Sequence, residues 1–110
     1  PIDAFYSRFT MHSITKDDEA KLLPNIFNSL VNGGLFCIEA RTTKDPLFGV
    51  GECCGENTFI TDHKRRFIDS QIFREQVSSL GFKELYFIEE NNLSKYKNDN
   101  PVLMRIILQK

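Results

Sequence analysis

The sequence predicts an α/β domain on a mixed sheet of four strands, with the last strand antiparallel and two to three helices. Three observations carry this. Strand-like runs alternate with helix-like runs from residue 2 to residue 89, the pattern of crossover units. The stretch NGGLFCIEA, residues 32–40, passes from a helix-like run through two glycines straight into an apolar strand-like run. Two strand-like runs close the chain around NNLSKYKNDNP, a polar turn region that makes antiparallel neighbours. The predicted order is β-α-β-loop-α-β-β. The first two strands should be parallel and adjacent, and the last should insert between the second and third.

Residues Ile2 to Arg8 read as a short buried strand. Thr15 is the predicted N-cap of the first helix. Asp17, Asp18 and Glu19 follow it in the first turn, where the helix dipole favours negative charge. Ala20, Leu22, Leu23, Ile26, Phe27, Leu30 and Val31 keep helical spacing on one face. Pro24 falls inside that run and predicts a kink, or two short helices with Pro24 opening the second. Gly33 and Gly34 are the predicted stop, one of them left-handed. Leu35 to Ala40 is a continuous apolar run, as in a strand buried on both faces.

Periodicity is lost from Thr42 to Lys64, where Gly49, Gly51 and Gly55 punctuate a long predicted loop. A second helix is predicted from Asp69 or Ser70 to Leu80, with Ile72, Phe73, Val77 and Leu80 inward and Gly81 as its stop. Phe82 to Glu89 and Val102 to Leu108 are the last two strands.

The 110 residues suffice for one small domain. Hydrophobic residues make up 41% and charged residues 26%, with a net charge of −1, so bulk charge gives no case for nucleic-acid binding. No apolar run is long enough to span a bilayer, and no signal-peptide pattern is present. Cys37, Cys53 and Cys54 read as free thiols in a reducing, cytoplasmic compartment, and no Cys or His pair has metal-ligand spacing. The chain opens on Pro1 and enters a strand at once, which predicts a piece of a longer domain.

Four pieces in this order resemble the C-terminal half of a class I S-adenosylmethionine-dependent methyltransferase, over essentially the whole chain. IDAFYSRFTMHSI resembles the fourth strand and its loop. LLPNIFNSLVNGGLFCIEA resembles the helix–Gly–Gly–strand turn, VSSLGFKELYFIE the helix–Gly–Phe–strand that follows, and NPVLMRIILQK the closing antiparallel strand. TDHKRRFID also resembles a block in methyltransferases of surface-polysaccharide pathways. The resemblance implies that residues 1–110 are the C-terminal portion of one methyltransferase domain whose cofactor-binding half is absent. Neither the glycine-rich loop nor the acidic strand end of that half is present here. S-adenosylmethionine is then the implied methyl donor of the whole enzyme, with no metal, and the chain by itself is expected to be inactive.

Candidate site residues follow from position and chemistry. His12 follows the first strand, at the carboxyl edge where open α/β sheets place their sites, and could take a proton from a hydroxyl or amine acceptor. Arg8 lies at the same edge, Arg41 ends the second strand, and His63, Lys64, Arg65 and Arg66 form a basic run. Arginine's planar fork suits a phosphate or carboxylate, so Arg8, Arg41, His63, Arg65 and Arg66 are predicted to bind an anionic acceptor. Lys64 reads as solvated. Ser7 and Phe9 take the cofactor-edge position that the resemblance implies. The expected partner is a small polar acceptor, anionic or sugar-related, rather than nucleic acid or membrane. The competing reading is a non-catalytic module that binds an anion or a protein. Cutting the sheet at Ile2 to Arg8 would leave an open strand edge, so self-association through the first strand is also expected.

Overall fold

The computed structural model describes residues 2–8 and 14–110. Strand β1 (Ile2–Arg8) leads to helix α1 (Lys16–Ser29) and strand β2 (Leu30–Arg41). Three short strands follow: β3 (Glu52–Gly55), β4 (Thr58–Ile60) and β5 (Lys64–Arg66). Helix α2 (Ser70–Leu80), β6 (Lys83–Glu90) and β7 (Leu103–Gln109) complete the chain. The main sheet has the order β1-β2-β7-β6. β1 and β2 are parallel, and β7 is antiparallel to both β2 and β6. The sheet is the predicted one, with the closing strand inserted between the second and third long strands.

Helix α1 begins as its sequence requires. The Thr15 side chain accepts from the Asp18 backbone N–H, with Asp17, Asp18 and Glu19 in the first turn. Two expectations fail further on. The helix is one continuous element through Pro24 rather than two short helices, because burying Leu23 and Ile26 on either side outweighs one missing backbone donor. It also stops four residues before the first glycine. Leu30 is already extended and caps the helix through its N–H to the Ile26 carbonyl. β2 therefore starts at Leu30. The glycines lie inside it, where the pairing with β1 slips between Ile2–Leu30 and Ala4–Leu35. Gly33 has φ +82°, and a Cβ on Gly34 would meet the Val31 carbonyl oxygen at 2.9 Å. The glycines serve an irregularity in the strand rather than the helix stop.

Helix α2 follows its prediction closely. Asp69 caps it by accepting from the Ile72 N–H, and Gly81 ends it at φ +108°. Phe73 and Val77 are buried, but Ile72 is 51% exposed and does not face the core. The two helices cover one face of the main sheet. There Phe36, Ile38, Ala40, Met104, Ile106 and Leu108 meet Leu23, Ile26, Phe73 and Val77. β1 lies at the edge of this sheet and is not buried as predicted: Tyr6 is 70% exposed.

The predicted long loop is the largest correction. β3, β4 and β5 form a small antiparallel sheet of their own. Phe48, Phe59 and Phe67 hold it together, with ring centroids 5.3–6.3 Å apart. Its end is tied back to β2, since the Ile68 N–H donates to the Arg41 carbonyl and the Thr43 N–H to the Ile68 carbonyl. Strands of three or four residues with turn glycines between them are too short for a period to show.

Candidate functional site

The two segments that follow β1 and β2 in sequence, residues 14–17 and the small sheet, enclose a cleft of about 330 Å³. One wall is the start of α1: Ile14, Thr15, Lys16 and Asp17. The other is the small sheet, with Cys54, Glu56, Thr58, Lys64 and Arg66. Strand alternation selects these side chains. Thr58 pairs with Arg66, and Ile60 with Lys64, whereas Arg65 sits opposite Phe59. Successive residues of a strand point to opposite faces, so Lys64 and Arg66 share the cleft face and Arg65 does not.

The cations of the cleft differ in what they hold. The buried Arg66 donates to Glu19 Oε1 at 2.9 Å and through Nε to the Ile14 carbonyl at 2.8 Å. It joins β5 to the first turn of α1 and to the residue that precedes the N-cap. Lys16 reaches across the cleft to Glu56, at 3.1 and 3.3 Å from the two carboxylate oxygens. Lys64 also lines the cleft and makes no ion pair among the described residues. The sequence reading takes Lys64 as solvated and singles out neither Lys16 nor Thr58. The β-strand period of residues 64–66 was the signal that could have found Lys64.

The other candidate residues lie elsewhere. Arg41 is buried between Asp45, at 3.1 Å, and Asp99. Asp45 also accepts from the Leu47 and Val102 N–H groups, so the cluster closes the end of β2 against the start of the closing strand. Arg8 lies on the opposite side of the sheet, 3.3 Å from Glu39 and 3.2 Å from the Ser94 hydroxyl. His63 contacts Asp62 at 3.3 Å at the tip between β4 and β5, and Arg65 approaches the same aspartate at 3.7 Å. The Thr61 hydroxyl, then the backbone, lowers the Asp62 pKa, with smaller help from the charges of His63 and Arg65. Ser7 faces the helix side, and its hydroxyl is buried with no hydrogen-bond partner among the described residues. His12 and Phe9 lie outside the described residues.

Glu89, near the end of β6, is a further charged group at this edge. Its carboxylate accepts from the Ser70 hydroxyl at 2.8 Å and contacts Lys44 at 3.3 Å. Burial pushes its pKa up, but hydrogen bonds from Thr42, Ser70 and Lys44 outweigh this and hold it below the ordinary value. A groove of about 570 Å³ beside α2 lies at the other end of the sheet. Its wall carries the Arg74–Glu84 pair near the start of β6. Open α/β sheets bind ligands at their carboxyl ends, so this groove is the weaker candidate.

No family model and no curated protein matches the chain. Solved structures do. An S-adenosylmethionine-dependent methyltransferase from Methanosarcina mazei matches 99% of this chain, with TM-score 0.74 at 13% identity. The chain shares the fold of the matched part of that structure. One from Mesorhizobium loti matches 99% of the chain with TM-score 0.65 at 12% identity. The glycopeptide N-methyltransferase MtfA, in complex with S-adenosyl-L-homocysteine, matches 97% with TM-score 0.65 at 15% identity. The chain spans only 59%, 62% and 54% of these three structures. Its architecture is thus a partial Rossmann-like fold with a mixed sheet of four strands, the fold of the matched parts of these structures.

Proposed function

We propose that this chain is the acceptor-side half of an S-adenosylmethionine-dependent methyltransferase acting on a small polar, anionic or sugar-related metabolite. The observation that carries the reading is the match of almost the whole chain to methyltransferase structures, with its cleft at the sheet's carboxyl edge. Methyl transfer from a sulfonium is an in-line displacement, so the protein's work is to position acceptor and donor and exclude water. Among the described residues Lys64 makes no ion pair, so it suits an anionic group on the acceptor. His12, in the segment before Ile14, is the proposed proton acceptor. Ser7 keeps the proposed cofactor-edge position, where its hydroxyl, without a partner among the described residues, can bond a ligand. Arg41 and Arg66 would act by holding the walls of the site.

The test uses the whole enzyme and a panel of phosphorylated sugars, with release of S-adenosylhomocysteine as the readout. Lys64→Ala should raise the acceptor KM about tenfold or more at nearly unchanged cofactor affinity, since a charge-assisted contact is worth about 1.5–3 kcal/mol. Arg65→Ala should leave it within about twofold. A whole enzyme that neither binds S-adenosylmethionine nor turns over would overturn the activity. Equal effects of the two substitutions would overturn the assignment of Lys64.

A further inference from the structure

The Lys16–Glu56 pair spans the cleft and differs in kind from the other link between its walls. The side chains of Arg66 and Glu19 are 8% and 5% exposed, so parting them would leave a charge buried. Those of Lys16 and Glu56 are 54% and 61% exposed, and an ion pair so open to water adds little to stability. The backbone beneath Glu56 is held. The Thr58 hydroxyl donates to the Glu56 carbonyl at 2.8 Å, and the Phe67 N–H to the Asn57 carbonyl at 2.8 Å. Only the Glu56 side chain has to rotate for the pair to open, a change that exposed side chains make freely. Lys64 lines the same cleft and makes no ion pair among the described residues. Asp17 lines it too, in the first turn of α1, where the helix dipole offsets its charge.

We propose that Glu56 is a resident stand-in for the acceptor's anionic group. A phosphate monoester enters the cleft, displaces the Glu56 carboxylate from Lys16, and is held between Lys16 and Lys64. This occupant, which rests on the reading of the cleft as the acceptor site, narrows the acceptor from any anion to a dianion. The charges decide the class. While Glu56 stays, Lys64 is the lysine left for a ligand among the described residues, which suits one negative charge. Once Glu56 swings out to solvent, two ammonium groups line one cleft. A phosphate monoester brings nearly two charges and three acceptor oxygens to them. The exchange is favourable because a charge-assisted contact inside a cleft is worth more than an exposed ion pair. The carboxylate also discriminates against neutral and singly charged molecules of the same shape, which compete with it poorly for Lys16.

The test is calorimetric titration of the whole enzyme at pH 8, without methyl donor, using glucose 1-phosphate as the dianion and glucuronate as the monoanion. Glu56→Gln should bind glucose 1-phosphate about two- to fivefold more tightly than the parent, because it removes the competing carboxylate. Lys16→Gln should bind it about tenfold or more weakly and change glucuronate binding less than about twofold. In the Lys16→Gln background, Glu56→Gln should make no further difference, since the carboxylate acts through Lys16. Both side chains are exposed, so neither substitution threatens the fold. A Glu56→Gln protein that binds glucose 1-phosphate no better than the parent would overturn the proposal and make the pair a brace between the walls. Binding that Lys64→Ala abolishes and Lys16→Gln leaves intact would overturn it too, with the acceptor cleft still standing. Glucose 1-phosphate binding to neither the parent nor Glu56→Gln would overturn both the exchange and Lys64 as an anion site.

Discussion

Replacing Arg66 by methionine isolates the role of the buried cation in the cleft wall. Arg66 is 7% exposed and Glu19 4%, and they meet at 2.9 Å across 47 residues of sequence. Methionine keeps the bulk of the side chain but leaves Glu19 as a buried charge without its partner. Breaking such a pair from one side costs about 3–5 kcal/mol. A domain of this size unfolds with a total of roughly 5–15 kcal/mol, so the variant should be near the limit of folding. At about 4–8 °C per kcal/mol, its Tm should fall by about 12 °C or more. Glu19→Leu should also destabilise, because it takes the carboxylate away from the buried arginine. The double variant Glu19→Leu/Arg66→Met leaves neither charge. It should recover to within about 1–2 kcal/mol of the parent, part of the remainder being the lost hydrogen bond to the Ile14 carbonyl. Urea denaturation of the four proteins, followed by circular dichroism, gives the coupling energy directly. A loss below about 1 kcal/mol in Arg66→Met, or losses that simply add in the double variant, would refute a structural role. Arg66 would then return to the set of residues available to bind the acceptor.

Two further predictions concern pH and association. The folded pKa of Glu89 lies below its ordinary value of 4.5, so its contribution to stability is full above that value and lost as pH falls through the folded pKa. The urea midpoint of the parent should therefore drop more steeply than that of Glu89→Gln below about pH 4.5, and parallel curves would show that Glu89 carries no such linkage. β1 is an edge strand interrupted by few charges, so the isolated chain should self-associate through it or exchange it with a neighbour. Sedimentation velocity across a concentration series checks this, and a strictly monomeric chain would end the idea.

What the sequence by itself determined was the set of long elements and the caps that bound them. Thr15 and Asp69 could be named because N-caps act within three residues, and Gly81 because a left-handed C-terminus is a local requirement. The two parallel strands and the antiparallel last strand were equally legible, since connection length limits how strands can pair. Tertiary structure decided the rest wherever the competing terms were non-local. Helix α1 continues through Pro24 and ends before the glycines because of what Leu23, Ile26 and Leu30 bury against the sheet. The small sheet exists because Phe48, Phe59 and Phe67 meet across residues without a shared period. The basic run looked like one charged unit in sequence. Only pairing with β4 splits it, placing Lys64 and Arg66 on the cleft and Arg65 on the other face. Likewise, nothing local to Arg41 or Arg66 announces that each will be buried and meet a carboxylate distant in the chain. A side chain's charge is set by its own residue, but whether that charge is left for a ligand depends on what the fold places beside it.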